Sequence, residues 1–161
     1  MDLTVEIALT VNGAAVRRRV EPRQNLVDFL RQELELTGSH VGCEHGACGA
    51  CTVRMDGSLV RGCLVLAVQA DGARVETIEG VTATGEIADL QNAFARENAV
   101  QCGFCASGML LTSHEILRRN PRAGETEIRE GLSGNYCRCT GYHAIVEAVR
   151  KVGAARPGGQ S

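Results

Sequence analysis

The chain has 161 residues, which is enough for one domain or two small ones. Its 17 basic and 19 acidic residues leave a formal net charge of −2, so no global positive field favours nucleic acid or an anionic membrane as a partner. No apolar run approaches the length of a membrane span and the N-terminus lacks the features of a secretory signal, so we expect a cytoplasmic protein.

The first part of the chain predicts a β-hairpin followed by a helix. Apolar and polar residues alternate over residues 3–11, and Asn12-Gly13 is a typical two-residue hairpin turn before a second strand. Apolar residues then recur at helical spacing over residues 25–35, directly after Asn25, a residue that favours the N-cap. A sheet crossed by one helix is therefore expected.

The next segments complete this small sheet. Residues 37–51 are rich in glycine and predict a loop, in which glycine can adopt the positive φ that other residues resist. The strands predicted after it cover residues 52–55, 59–61, 64–69 and 74–78, with turns at Asp56-Gly57 and Asp71-Gly72. This is the architecture of a β-grasp ferredoxin, which we place at residues 1–79.

From about Gly80 the strand pattern is replaced by helical periodicity. We interpret Val81 to Gly85 as a linker and residues 80–155 as a second domain, a bundle of about four helices. The apolar faces that define these helices belong to segments around residues 87–94, 109–117, 127–132 and 145–152. Residues 156–161 are expected to be a flexible tail, and the whole chain is predicted to be of the α+β class.

Eight cysteines form two groups of four with none left over. The first group has the C-x4-C-x2-C…C spacing of a plant-type [2Fe–2S] ferredoxin and consists of Cys43, Cys48, Cys51 and Cys63. The second group combines a C-x2-C with a C-x-C and consists of Cys102, Cys105, Cys137 and Cys139. We call these the first and the second quartet. They predict two [2Fe–2S] clusters and hence electron transfer.

Eight cysteines could also form disulfides or bind structural zinc. Disulfides require an oxidising compartment, for which the N-terminus gives no indication. Structural zinc also takes four thiolates, but the first quartet places three of them in one short loop, whereas zinc ribbons contribute two and two. The second quartet is ambiguous from spacing alone, so a zinc-bound interaction module stays open at this point.

Several other residues could have a role near the metals. The histidines, His40, His45, His114 and His143, are expected at the surface or behind the ligands, because eight cysteines already fill eight ligand positions. Arg138 lies between two cysteines and either offsets cluster charge or points to solvent. The run at residues 17–19 of three arginines is either a docking patch or a solvated strand edge.

Three stretches resemble a known family. Residues 101–105 read Gln-Cys-Gly-Phe-Cys, residues 134–142 read Gly-Asn-Tyr-Cys-Arg-Cys-Thr-Gly-Tyr, and residues 48–53 read Cys-Gly-Ala-Cys-Thr-Val. With the order of the two quartets, they resemble the iron–sulfur small subunit of molybdenum hydroxylases, the xanthine oxidase and carbon monoxide dehydrogenase family. The resemblance extends from about residue 3 to about residue 153.

The resemblance implies a function and partners. A large subunit would carry a molybdenum-pyranopterin cofactor in the cytosine dinucleotide form, and a medium subunit would usually carry FAD, in a heterotrimer or its dimer. In such subunits the first quartet holds the outer cluster and the second quartet holds the inner one. This chain would therefore pass single electrons from the inner to the outer cluster, without a substrate site of its own. By the same carry-over, Gln101 and Cys139 would touch the molybdopterin of the partner.

The sequence departs from the family pattern at two places. Ala106-Ser107 stands where Thr-Pro is common, and we expect Ser107 to cap the following helix through its hydroxyl. Tyr136 stands where leucine is common. The alternative function is a free two-cluster ferredoxin, although a net charge of −2 does not suggest the acidic face such carriers use. The hydroxylated substrate cannot be read from this chain.

Overall fold

The first half of the protein is a mixed five-stranded sheet. We describe it from a computed structural model, which covers residues 3–156. The strands are β1 (Val5–Val11), β2 (Ala14–Val20), β3 (Thr52–Met55), β4 (Ser58–Arg61) and β5 (Arg74–Glu76). Their order is β2-β1-β5-β3-β4, with β1 and β5 parallel and the other neighbours antiparallel. The predicted sheet is confirmed.

Both predicted hairpin turns are present. The two residues of the first turn, Asn12 and Gly13, have φ values of 50° and 83°, and those of the second, Asp56 and Gly57, have 48° and 80°. Positive φ at both central residues matches the right-handed twist of the flanking strands, and Asn-Gly and Asp-Gly adopt it readily. The second turn brings the start of β3 beside the end of β4.

The helix predicted over residues 25–35 is present but irregular. It begins as α1 (Leu26–Asp28) and continues as a π-helical segment (Phe29–Glu33). Asn25 is the N-cap as predicted, since its Oδ1 accepts from the Asp28 N–H at 2.8 Å. The apolar side of this helix packs against the sheet and forms the first core with the buried residues of β1, β3 and β5.

One predicted strand is wrong. The segment Leu64–Gln69 is mostly a turn followed by a 3-10 helix (Ala67–Ala70), and Leu66 pairs with Asn25 in one isolated bridge. The Gln69 side chain accepts from the Leu66 N–H at 2.8 Å, and the Gln69 N–H donates back to the Leu66 carbonyl at 2.9 Å. These local bonds compete with a ladder, and the two alanines of this 3-10 helix are fully buried.

The prediction of a linker over residues 81–85 is also wrong in part. Residues 81–83 belong to α2 (Ile78–Ala83), and Val81 is buried in the core of the second half. The predicted strand over residues 74–78 therefore ends at Glu76. A boundary between residues 79 and 80 stays a prediction about folding units, and it lies inside this helix.

The four predicted helices follow in order. They are α3 (Ala88–Arg96), α4 (Ala106–Arg119), α5 (Glu125–Gly131) and α6 (His143–Ala155), so α2 is an addition to the prediction. Among residues 3–156, no helix is long and apolar enough to cross a membrane. Of the predicted tail, Arg156 is ordered by an ion pair with Asp89 at 2.8 Å, and residues 157–161 lie outside the described range.

The two halves are joined by a partly buried charged cluster. Arg54 on β3 pairs with Glu86 at 2.9 Å, and the same carboxylate accepts from His114 Nε2 on α4 at 2.8 Å. Arg54 also contacts Glu76 of β5 at 3.2 Å. These ion pairs hold α4 against the sheet.

Candidate metal centres

The first quartet lies in the loop that precedes β3 and just after β4. Because Thr52 is paired with Arg61 across the hairpin, the residues on either side of the two strands, Cys51 and Cys63, are brought together. The Gly62 N–H donates to the Cys51 carbonyl at 3.1 Å and continues this pairing. The hairpin thus delivers the fourth cysteine to a loop that already holds three.

Backbone amides of the loop point at Cys43. The Cys48 N–H donates to Cys43 Sγ at 3.4 Å. This bond, helped by the N–H groups of His45 and Ala47, lowers the pKa of the Cys43 thiol to about 6. Amides aimed at sulfur stabilise negative charge, which is the condition for a thiolate metal ligand. At the other end of the loop, burial raises the pKa of Cys51 to about 11.

Glycines make this tight loop possible. Gly46 and Gly49 have φ values of 81° and 74°, a region that other residues enter at a cost. A Cβ on Gly42 would lie 3.1 Å from Cys48 Sγ, and a Cβ on Gly49 would lie 2.5 Å from the Gly134 carbonyl. The loop therefore forms a cradle around the thiols that side chains would fill.

The second quartet is assembled from two distant segments. Cys102 and Cys105 directly precede α4, and Cys137 and Cys139 lie shortly before α6. Because α4 and α6 pack together, the starts of the two helices meet. The Sγ atoms of Cys102 and Cys139 are 3.5 Å apart, and one pocket is lined by all four cysteines together with Gln101.

In this quartet Cys105 and Cys137 are half-buried, and Cys102 and Cys139 are exposed. Burial raises the pKa of Cys105 to about 12. Burial acts in the same direction on Cys137, but the Thr140 hydroxyl, which donates to its Sγ at 3.1 Å, and nearby amides outweigh it and lower its pKa. Cys102 and Cys139 are exposed, and their mutual hydrogen bond raises the pKa of Cys139.

Tyr142 orders the segment that carries Cys137. Its backbone has a φ of 68°, and its phenol oxygen accepts from the Cys137 N–H at 2.8 Å. The Tyr142 N–H in turn donates to the Thr140 hydroxyl at 3.2 Å. These two hydrogen bonds fix the turn between Cys137 and α6, which carries Cys137 and Cys139.

The thiols in each quartet form pairs. In the first quartet Cys48 contacts Cys43, and Cys51 interacts with Cys63. In the second, Cys102 contacts Cys139, and Cys105 interacts with Cys137. Across residues 3–156, no three His, Cys, Asp or Glu side chains are close enough to hold one metal ion. Two pairs of free thiols fit a binuclear centre, in which each iron takes two thiolates.

Three of the four histidines have partners other than a metal. The His40 ring stacks on Phe104 with centroids 4.7 Å apart, and its Nδ1 contacts the Phe104 carbonyl at 3.0 Å. His45 Nδ1 contacts the Cys43 carbonyl, and His114 belongs to the junction cluster. His143 is exposed. This arrangement agrees with the expectation that they lie at the surface or behind the ligands.

The other residues singled out in the sequence have simple positions. Gln101, Arg138 and Tyr136 are exposed, and the tyrosine does not fill buried space. The predicted capping role of Ser107 is wrong: its hydroxyl donates to the Gly38 carbonyl at 2.5 Å, because this carbonyl lies within reach across the domain junction. The Arg17 guanidinium pairs with Glu6 at 2.7 Å on the sheet surface.

Sequence reasoning missed Asn135 and Arg61. Asn135 is buried between the two quartets, and the Arg61 guanidinium donates to the Thr52 hydroxyl and to the Gly134 carbonyl, the latter at 2.7 Å. No spacing rule singles out either residue. The only signal for Asn135 was its position two residues before a cysteine.

Comparisons with known proteins agree with the two-part arrangement. Residues 9–77 match the family model described as a 2Fe-2S iron-sulfur cluster binding domain, and residues 77–150 match the one described as a [2Fe-2S] binding domain. The chain thus contains two successive [2Fe–2S]-binding domains, which defines the class of protein.

Individual relatives are similar over nearly their whole length. The chain is 50% identical to the caffeine dehydrogenase subunit gamma of Pseudomonas sp. (strain CBB1), with 91% of this chain and 89% of the relative covered. It is 51% identical to the nicotine 6-hydroxylase small subunit of Paenarthrobacter nicotinovorans, with 90% and 87% covered. Quinoline 2-oxidoreductase from Pseudomonas putida 86 matches with a TM-score of 0.90 at 46% identity, covering 96% of this chain and 95% of that one.

The chain belongs to the family of small iron–sulfur subunits of molybdenum hydroxylases. It is an electron-transfer subunit of an oxidoreductase complex with more than one subunit. The free ferredoxin considered as an alternative is not favoured.

Proposed function

We propose that each quartet holds one [2Fe–2S] cluster and that the two clusters pass single electrons in series. The ligands of the outer cluster are Cys43, Cys48, Cys51 and Cys63, and those of the inner cluster are Cys102, Cys105, Cys137 and Cys139. The clusters supply one-electron redox chemistry. The chain supplies thiolates, amide hydrogen bonds to sulfur, and a fixed distance between the two sites.

The observation that carries this proposal is the contrast in exposure between the quartets. Cys51 is buried, whereas Cys102 and Cys139 are exposed beside the exposed amide of Gln101. A one-electron donor on another subunit can approach the second quartet directly. We infer that Gln101 and Cys139 touch the pterin of a molybdenum cofactor there, and that the inner cluster receives electrons first.

Exposed apolar side chains surround the same place. Val100, Phe104 and Tyr136 are 42%, 45% and 59% exposed, although they are large and hydrophobic. Apolar groups that flank a redox centre at the surface are typical of a face that another subunit covers. This supports a large molybdenum-binding subunit as the neighbour of the second quartet.

The first quartet then serves the electron acceptor. Leu64 is 61% exposed directly beside Cys63, so this cluster also has an approachable side. We propose a medium subunit with FAD as the acceptor, in a cytoplasmic heterotrimer or its dimer. The molybdenum cofactor of the large subunit is expected to be the cytosine dinucleotide form.

The metal content of the native complex tests this proposal. The chain is affinity-tagged in its own host, purified gently, and analysed for metals and for co-purifying subunits. Two binuclear clusters predict about four Fe per chain, and the large subunit adds about one Mo. Iron without molybdenum or partners would contradict the role as a subunit, and zinc in place of iron would contradict the clusters themselves.

A further inference from the structure

Asn135 contacts the segments that carry both quartets. It lies two residues before Cys137 and is 1% exposed. Its Nδ2 donates to the Gly49 carbonyl in the loop of the first quartet at 3.3 Å. Its Oδ1 accepts from the Thr112 hydroxyl at 3.0 Å on α4, the helix that follows Cys105. One side chain therefore links three pieces of chain that come together only in the folded protein.

The chemistry of these partners fixes the orientation of the amide. A backbone carbonyl such as that of Gly49 only accepts, so the nitrogen of the amide must face it. The oxygen is then left for the Thr112 hydroxyl, which can donate. An aspartate of the same shape could accept from Thr112 but could not donate to Gly49, and it would place two oxygens against each other in a buried site.

The space for the amide is left open by two glycines. A Cβ on Gly49 would lie 2.6 Å from Asn135 Nδ2, and a Cβ on Gly108 would lie 3.0 Å from the same atom. The Gly108 Cβ would also clash with the Gly49 carbonyl. The absence of both side chains lets α4, the first loop and Asn135 pack directly on one another.

The residue after Asn135 connects the two quartets directly. The Tyr136 N–H donates to the Cys48 carbonyl at 2.8 Å. Cys48 belongs to the first quartet, and Tyr136 is bonded directly to Cys137 of the second. The backbone therefore connects Cys48 to Cys137 by covalent bonds that are interrupted by only one hydrogen bond. On the far side of Asn135, Arg61 holds the Gly134 carbonyl at 2.7 Å.

We propose that Asn135 is a positioning residue for electron transfer between the two clusters. It holds the hydrogen bond from Tyr136 to Cys48, and one electron passes along this path from the inner to the outer cluster. The inner cluster is oxidised by one electron, the outer cluster is reduced by one, and no proton moves. The inference rests on the proposed function, since it requires a cluster at each quartet.

The test uses the tagged native complex and two readouts. One is the rate of electron transfer between the clusters after rapid reduction by one equivalent. The other is the magnetic splitting between the two cluster signals in electron paramagnetic resonance, which reports their separation and coupling. Asn135→Ala should slow the transfer severalfold and change the splitting, because the Tyr136 N–H is no longer held against the Cys48 carbonyl. Both cluster signals should persist.

A matched control separates positioning from general loosening of the junction. Ser107→Ala also removes a hydrogen bond between the two halves, the one to the Gly38 carbonyl, but leaves the contact between Tyr136 and Cys48 intact. It should change neither the rate nor the splitting. The isosteric Thr112→Val variant removes only the hydroxyl that donates to Asn135 Oδ1. It should slow the transfer and change the splitting as Asn135→Ala does, but to a smaller extent.

A second pair of variants tests the path directly. Tyr136→Pro removes the N–H that donates to Cys48, whereas Tyr136→Leu keeps it and changes only an exposed side chain. The proline variant should slow the transfer, and the leucine variant should not. Unchanged rate and splitting in Asn135→Ala, Thr112→Val and Tyr136→Pro, with both signals present, would overturn the inference. Absence of one cluster signal from the unsubstituted complex would instead overturn the proposed function.

Discussion

The two quartets solve the same chemical problem in different ways. The first is local: three cysteines lie in one glycine-rich loop, amides of that loop point at Cys43, and one hairpin delivers Cys63. The second depends on tertiary structure, since α4 and α6 must pack before its two pairs of cysteines meet. In the first quartet one loop surrounds most of the thiols. In the second, the segments before α4 and α6 place two of the thiols at the surface.

The two quartets therefore differ in what holds their cysteines in place. The first quartet depends on backbone conformation, as the positive φ of Gly46 and Gly49 indicates. The second depends on side-chain hydrogen bonds, such as the one from the Thr140 hydroxyl to Cys137 Sγ and the one from the Cys137 N–H to the Tyr142 phenol. Changes to backbone should therefore damage the first half most, and changes to packing should damage the second.

Removal of single ligands should produce the largest effects and separate the two sites. Cys137→Ala should erase one of two cluster signals in electron paramagnetic resonance and stop transfer from substrate to acceptor, because the inner cluster loses a thiolate. Cys63→Ala should affect the other signal. Ser107→Ala serves as a control with all eight thiols intact. Two unchanged signals in either cysteine variant would contradict the ligand assignment.

Removal of iron should loosen the second half more than the first. A cluster held by the second quartet would close a longer stretch of chain than one held by the first, so more conformational entropy would return on its loss. Hydrogen exchange after chelation should rise strongly in α6 and less in β1 and β2, which have a core of their own. Faster exchange confined to the β1–β2 hairpin would reverse the comparison.

Two glycines with similar backbone conformation should respond differently to alanine. Gly49 has a φ of 74° and Gly57 has 80°, but a Cβ on Gly57 would meet open space. Gly57→Ala should cost about 1–2 kcal/mol in the free energy of unfolding, the usual penalty of the left-handed region. Gly49→Ala should cost more than about 3 kcal/mol, because backbone and Asn135 must also move.

Urea unfolding of the two variants under identical conditions measures this difference. Loss of bound iron should accompany the Gly49 variant and not the Gly57 variant. Equal costs would mean that the close packing around Gly49 contributes nothing beyond its φ.

Acid should weaken the junction between the halves, with the smallest effect of the four. The Arg54 guanidinium lowers the pKa of Glu86, so its contribution is present above the ordinary value near 4.5 and is lost as the pH falls through the lowered one. Burial lowers the pKa of His114, despite the nearby Glu86 carboxylate, so protonation below its ordinary value of 6.5 favours unfolding. Both signs agree, and stability should fall from pH 7 towards pH 4.

The structure explains why His114 resists protonation. Its Nε2 faces Glu86, and its buried Nδ1 has no hydrogen-bond partner within residues 3–156. Glu86→Gln should remove the lower part of the pH dependence, about 1 kcal/mol, because Glu86 is a third exposed and partly screened. A pH profile identical to that of the unsubstituted protein would show that the junction contributes nothing to stability.

The parts of the fold that follow from local chemistry could be predicted. The Asn12-Gly13 and Asp56-Gly57 turns, the Asn25 cap and the helices around Phe94 and Val149 all follow from turn chemistry or periodicity. The first quartet follows from cysteine spacing in the same way, whereas the interpretation of the second quartet also required the family resemblance. None of these inferences required knowledge of a contact between distant residues.

The parts that differ from the prediction depend either on distant contacts or on local hydrogen bonds between a side chain and the backbone. Val81 was assigned to a linker, but it is buried by helices that come later in the chain. The segment at residues 64–69 has strand-like composition, yet the buried alanines and the Gln69 side chain favour a 3-10 turn. Asn135 contacts Gly49, a residue far earlier in the sequence, so no local pattern could have indicated its role.

The hydrogen bond between Tyr136 and Cys48 also gives the molecule an order of assembly. The loop of the first quartet can close once the chain reaches β5, because the five strands of the sheet that carries it end there. The segment of Cys137 and Cys139 is held in part by the carbonyls of Gly49 and Cys48 in that loop. During synthesis from the N-terminus, we therefore expect the first half of the chain to form the surface against which the segment of Cys137 and Cys139 is ordered.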